Sequence, residues 1–162
     1  YAKYLLEFER GNGYSSELYS QLSKLTLRAQ SEAVGSSSLS EDIGFIEKLA
    51  KIEVQINAME ATELRILGSL TAGQNVGPES SLLKAGGTEI GQAITELAVE
   101  LVGYYALPFN NPGPELGHNE APIGSQFANT SAPRYFNYRK ASIYAGSNEI
   151  QRNIMAKLVL GL

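Results

Sequence analysis

Three features of the sequence predict an all-α fold, an antiparallel four-helix bundle. Helical periodicity recurs in four stretches, one long irregular connection separates the third from the fourth, and no alternation of apolar and polar residues is sustained. No sheet is expected. The length, 162 residues, suits one domain over residues 1–162, with enough chain to bury a core unaided.

The clearest element is predicted over residues 42–72. Leu49, Ile52, Ile56 and Met59 recur at three- and four-residue spacing, with Glu47, Lys48, Lys51 and Glu53 between them. Ser40 and Asp42 mark its start as cap residues, and Gly73 with the polar 74–78 stretch marks its end. A second helix is predicted over 79–104, with a stripe of Ile90, Ala93, Ile94, Leu97 and Leu101 and with Gly103 near its end. Leu18, Leu22 and Leu25 predict a helix within the first 30 residues, weakened locally by Gly11-Asn12-Gly13. The Ser- and Gly-rich segment 30–40 reads as a connection. Residues 105–133 are rich in proline, glycine and asparagine and read as a long loop. A last helix is predicted up to Gly161, with Ile150, Ile154 and Leu158 as its stripe.

Composition narrows the function classes. Cysteine is absent, so disulfides and thiolate metal sites are impossible, and no metal-ligand spacing is present. The net charge of −4 comes from interspersed charges without a basic stripe, which argues against nucleic acid as partner. No apolar run is long enough to span a bilayer and no signal-peptide layout opens the chain. The sequence starts at Tyr1 rather than Met, as expected of a processed chain or an excised piece.

One segment is specific: Ile143-Tyr144-Ala145-Gly146-Ser147-Asn148-Glu149-Ile150-Gln151-Arg152, closing with Val159-Leu160-Gly161-Leu162. It resembles the acyl-CoA dehydrogenase signature I-Y-x-G-T/S-x-E/Q-I-Q-R and the V-L-G-L that follows. Asn137-Tyr138-Arg139 occupies the family's D-A-R position, and Leu6-Glu7-Phe8-Glu9-Arg10 resembles its L-x-x-E-R opening of the first helix. Glu60 to Arg65 and Leu83 to Glu89 are similar to a bacterial subgroup acting on bulky or dicarboxylic acyl chains. The resemblance spans nearly the whole chain but only the last of the family's three domains. The N-terminal helical domain and the middle β domain have no counterpart here.

A glycine at 146 lets a ligand approach the backbone closely, and Ser147 at a helix start can cap free amides or bond a phosphate or ribitol oxygen. By the resemblance, Ser147 and Glu149 map onto flavin-contacting positions, and Tyr144 with Gly146 onto the acyl pocket. The family's chemistry needs a carboxylate within reach of the proton α to the thioester. In many members that carboxylate lies between Tyr and Gly of the signature, where this chain has Ala145. A minority of members place it on the first helix before an arginine, so Glu9 is the candidate base and Arg10 its orienting or CoA-contacting neighbour. Glu7, two residues away, faces another side of a helix. The missing carboxylate at 145 has a second account: a non-catalytic subunit of a mixed complex.

Further departures concern the cofactor. The family's R-x-x-F-G after the first helix is missing from the Arg28–Ser40 stretch, and Glu100 to Gly103 matches Q-x-x-G-G only partly. Glu100 replaces a donor amide by an acceptor with a charge, so near a pyrophosphate it must turn away, be screened or accept from ribose hydroxyls. Lys157 aligns with a basic CoA-contacting position, and equally suits a helix C-terminus. His118, the lone histidine, reads as a surface residue of the loop. Tyr104, Tyr105, Tyr135, Phe136 and Tyr138 flank the loop and are expected to pack it or to shape a subunit interface.

The resemblance thus implies one wall of a site holding FAD and an acyl-CoA substrate, with α,β-dehydrogenation to the trans-2-enoyl-CoA in fatty-acid β-oxidation. It implies an electron-transferring flavoprotein as acceptor, a homodimer, tetramer or hetero-oligomer, and a bacterial cytoplasmic location. The rival is a non-catalytic subunit or oligomerisation domain.

Overall fold

A computed structural model describes residues 13–34, 37–74, 77–108 and 123–162. The described fold is all-α. Its elements are α1 (Ser15–Ser31), α2 (Ile43–Thr71), α3 (Glu79–Val102), α4 (Gln126–Tyr138) and the short α5 (Asn148–Met155). Three-residue turns of 3-10 helix or slightly longer ones sit at Leu39–Glu41, Gly103–Ala106 and Arg139–Ser142, and a π-turn at Ala156–Leu160 ends the chain's last helix. The connection after α1 contains an antiparallel ladder of two residues per strand, β1 (Ala33–Val34) against β2 (Ser37–Ser38). It is a departure from the expected absence of strands, but too short to form a layer.

Helix α3 is the centre. It packs on α1, α2, α4 and α5, and its buried residues run round the helix rather than along one stripe. The core joins Leu18, Leu22 and Leu25 of α1, Phe45, Ile52, Ile56 and Met59 of α2, and Leu83, Ile90, Ile94, Leu97 and Leu101 of α3. Each such side chain, fully withdrawn from water, contributes about 1.5–3 kcal/mol. Helix α2 starts where the sequence placed it: the Asp42 carboxylate accepts from the Phe45 N–H at 2.8 Å. Ser40 lies instead in the 3-10 turn before it.

Two expectations are corrected. The irregular stretch expected over 105–133 includes helix from Gln126 onward, started by the Ser125 hydroxyl, which accepts from the Ala128 N–H at 3.2 Å. Pro133 sits inside that helix, where its missing N–H normally breaks the ladder. Burial of Ala128 and Ser131 and the stacking of Arg28 over the Phe127 ring at 5.6 Å hold α4 against the bundle. At the C-terminus the expected apolar stripe does not face the core. Ile150 and Leu158 are 52% and 69% exposed, and the buried residues of α5 are the polar Asn148 and Gln151.

Candidate functional site

The turn before α5 is built from two successive left-handed residues, Ala145 at φ +55° and Gly146 at φ +87°. A left-handed alanine is strained, and glycine takes that conformation freely. Space also demands glycine at 146: a Cβ there would lie 2.6 Å from Nε2 of the buried Gln151. The chain then becomes extended at Ser147, whose hydroxyl caps α5 by accepting from the Ile150 N–H at 3.4 Å. Tyr144, Ala145 and Gly146 are exposed and Ser147 half-buried, so nearly bare backbone is exposed just before a helix start. Glu149 follows in the first turn. Its own backbone N–H, and next the Ser147 hydroxyl, hold its carboxyl below the usual range, with Arg152 and Lys84 helping.

Beneath this turn lies a buried polar contact between α5 and α3. Lys84 Nζ donates to Asn148 Oδ1 at 2.9 Å. The Asn148 amide nitrogen in turn faces Thr88 Oγ1 at 3.1 Å and Glu89 Oε1 at 3.2 Å. Glu89 also pairs with Arg152 of α5. Burial pulls the Lys84 ammonium's pKa down, against the opposing pull of Glu149 and Glu89.

The neighbouring wall is aromatic. Gly87 and Gly91, one turn apart on α3, leave room for two rings: Cβ atoms there would lie 2.6 Å from Tyr14 Cδ1 and 2.6 Å from Tyr138 Cε1. Burial raises the pKa of both phenols, with Tyr144 adding to each. Tyr14 is held from across the bundle. The Glu63 carboxylate accepts from the Tyr14 N–H at 2.6 Å, the Ser15 N–H at 3.0 Å and the Ser15 hydroxyl at 2.5 Å, capping α1 from α2. Tyr138 is fixed through its neighbour Arg139, whose Nη2 donates to Gln92 O at 2.8 Å and Thr95 Oγ1 at 2.9 Å while its guanidinium covers Tyr135 at 4.3 Å.

The site residues expected from sequence fall into separate places. Tyr144, Gly146, Ser147 and Glu149 are together in the one turn. Glu100 and Gly103 stand at the other end of α3, Glu100 about 24 Å along the helix from Lys84 at 1.5 Å per residue. Glu100 pairs with Lys48, which screens its charge. Gly103 ends α3 at φ +53° with open space around it. Lys157 is exposed in the terminal π-turn. Glu9, Arg10, Glu7 and His118 lie outside the described residues. Of the loop-flanking aromatics, Tyr105 packs on Gly124, while Tyr104 and Phe136 are 88% and 71% exposed.

Sequence reading missed Lys84, Asn148, Gln151 and Glu63. A hint was present: Lys84, Thr88 and Thr95 interrupt α3 at helical spacing, and polar residues repeated along one face of a buried helix need partners there. Among the described residues, no group of three or more His, Asp or Glu is placed to hold a metal. No described helix is long and apolar enough to cross a membrane.

Residues 17–160 match the family described as acyl-CoA dehydrogenase, C-terminal domain, and the chain belongs to that family. Among solved structures it is similar to butyryl-CoA dehydrogenase from Megasphaera elsdenii, with a TM-score of 0.71 and 16% identity over 96% of this chain and 37% of that one. The prolyl acyl carrier protein oxidase AnaB gives a TM-score of 0.74 and 18% identity over 97% and 37%. A chain of the ChsE4–ChsE5 complex from Mycobacterium tuberculosis gives 0.68 and 20% over 91% and 36%. At these identities the likeness shows the fold alone. The chain spans little more than a third of the length of these structures. No curated protein sequence matches it.

Proposed function

We propose that this chain forms the C-terminal wall of the active site in an FAD-dependent acyl-CoA dehydrogenase that oxidises an acyl-CoA to the trans-2-enoyl-CoA. The observation that carries the reading is the turn at Tyr144–Ser147: family sequence, an exposed left-handed backbone at Ala145 and Gly146, and the half-buried capping Ser147 beside it. That turn fits a flavin. Gly146 admits close approach, and Ser147 offers a hydroxyl at a helix start whose dipole favours an electron-rich ring or phosphate. Bound FAD supplies the hydride acceptor for the substrate's β carbon. Of this chain's residues, Tyr144 and Gly146 line the acyl pocket, Ser147 and Glu149 orient the flavin, and Glu9 removes the α proton with Arg10 beside it. Lys157 contacts the CoA arm. Glu100 and Gly103, remote from the turn, serve a flavin reached from that other end of α3.

Two further domains of the parent protein complete each pocket in this reading. An electron-transferring flavoprotein would be the partner that accepts the electrons, and the domain self-associates or pairs with a second subunit in a bacterial cytoplasm. Ala145, at the position of the usual carboxylate, favours one rival: a subunit without its own chemistry, in a mixed complex. Anaerobic addition of acyl-CoAs to the full-length protein, followed by flavin absorbance with and without Glu9→Gln, separates the two. Bleaching that is lost in the variant supports a dehydrogenase with its base on the first helix. A protein that keeps its flavin oxidised with every acyl-CoA sinks that reading.

A further inference from the structure

Lys84 is the only charged side chain among the described residues that is nearly withdrawn from water, at 7% exposure. Burying an ammonium is costly, and an apolar side chain of similar length would fill the same space without that cost. No described carboxylate forms a salt bridge with it. Its hydrogen-bond partner is the Oδ1 of Asn148, itself 2% exposed and the first residue of α5. Thr88, one turn further along α3, closes on the same asparagine from the other side at 3.1 Å.

The remaining polar atoms point the same way. Ser81 lies one turn before Lys84, and Gln151 one turn after Asn148, so each pair shares a helix face. Ser81 Oγ and Gln151 Oε1 are both buried without a partner among the described residues. Gln151 Nε2 lies directly beneath Gly146. The fully buried residues of α5 are Asn148 and Gln151, Ile154 and Met155 are half-buried further along, and Ile150 near the start is exposed, so the first turn of this helix docks by polar side chains. The contact that fixes its start is polar, and Lys84 is its charged member.

We propose that Lys84 is the positioning residue of the Tyr144–Ser147 turn: acting through Asn148, it sets where the turn's backbone and the Ser147 hydroxyl meet cofactor and thioester. The second half of this statement rests on the dehydrogenase reading above. The first half concerns only the chain's own geometry, and the two are tested separately.

The test uses Lys84→Met, Asn148→Leu, the double variant, and Ile56→Val as a core control. In the 162-residue chain, amide exchange at Ile150 and Gln151 is compared with that at Ile94 and Leu97. Lys84→Met is expected to speed exchange at the start of α5 at least about tenfold while the α3 amides change little. Uniform acceleration across α3 and α5, as in the control, overturns the positioning role. In the full-length protein, Lys84→Met is expected to lower kcat for flavin reduction about tenfold or more, with KM moved by less than about threefold. The double variant removes donor and acceptor together, so it should regain the thermal stability that Asn148→Leu alone loses, yet keep the low kcat. Recovery of kcat along with stability overturns the link to the site. A full-length protein that holds no flavin overturns the functional half, while the exchange comparison still decides whether Lys84 anchors the turn.

Discussion

Tyr138 rests its ring in the notch left by Gly91: a Cβ on that glycine would lie 2.6 Å from Tyr138 Cε1 and 2.7 Å from its hydroxyl oxygen. The ring cannot simply swing away, because the backbone around it is pinned. Gln92 Nε2 donates to Arg139 O at 3.2 Å, and Arg139 reaches back to Gln92 O and Thr95. Gly91→Ala should therefore destabilise the fold by roughly 1–3 kcal/mol, the usual cost of overpacking, despite alanine's better helix propensity. Tyr138→Ala should relieve most of that loss when combined with it. Urea midpoints of the two single variants and the double measure this; additive losses would refute the notch.

How much of this was legible in the sequence depends on where each partner lies. Helices α2 and α3 announce themselves because Ile52, Ile56 and Met59, or Ile90, Ile94 and Leu97, repeat within one helix. Helix α4 does not: Pro133 and its Asn, Thr and Ser neighbours have the local chemistry of a loop, and packing on α3 and beneath Arg28 of α1 overrides it. The α5 stripe misled for the opposite reason, since only Ile154 of its three residues is half-buried, Ile150 and Leu158 are exposed, and the fully buried side chains are Asn148 and Gln151. The turn at 144–147 was readable as a motif. Its supports were not, because Lys84 and Glu63 act on residues 64 and 48 or 49 positions away.

Glu63 replaces the cap that α1 lacks. Tyr14, the residue before the helix, makes no side-chain cap, so the carboxylate from α2 satisfies the first amides instead. Glu63→Ala should cost about 1–3 kcal/mol, because it leaves those N–H groups and the Ser15 hydroxyl without their acceptor. Glu63→Gln, which keeps one oxygen, should cost less. A lower urea midpoint with an unchanged slope, together with faster exchange of the Leu18 amide than of amides in α3, is the expected result. An unchanged midpoint would show that water caps α1 equally well.

Gly146→Ala meets two obstacles at once, a left-handed backbone at φ +87° and the Gln151 amide 2.6 Å from the new methyl group. The backbone conformation alone costs roughly 1–2 kcal/mol. The clash adds to it, because Gln151 is 4% exposed and has little room to retreat. Gly73→Ala, at φ +78° with nothing within 4 Å, isolates the backbone part. Thermal unfolding of the two variants should therefore rank Gly146→Ala as the more damaging. Equal losses would mean that Gln151 yields freely.

The tyrosine wall predicts a particular response to alkali. Tyr14 and Tyr138 both have pKa values raised above the ordinary 10.0, chiefly by burial, with Tyr144 adding to each. A raised folded-state pKa means that the unfolded chain loses these protons first. The stability tied to the neutral phenols is thus complete below about pH 10 and is lost as pH rises through the folded-state values. Lys84 works in the other direction just below its ordinary 10.5, since its folded-state pKa is lowered and its burial becomes less costly once it is neutral. The two effects separate by substitution. In Tyr138→Phe, urea midpoints should fall less steeply above pH 10 than in the parent, and ultraviolet difference spectra should lose a late-titrating phenolate. In Lys84→Met, the midpoint should lack the upward contribution that the parent carries as pH rises toward 10.5. Parallel profiles for parent and Tyr138→Phe above pH 10 would mean that the Tyr138 phenol titrates as freely in the folded chain as in water.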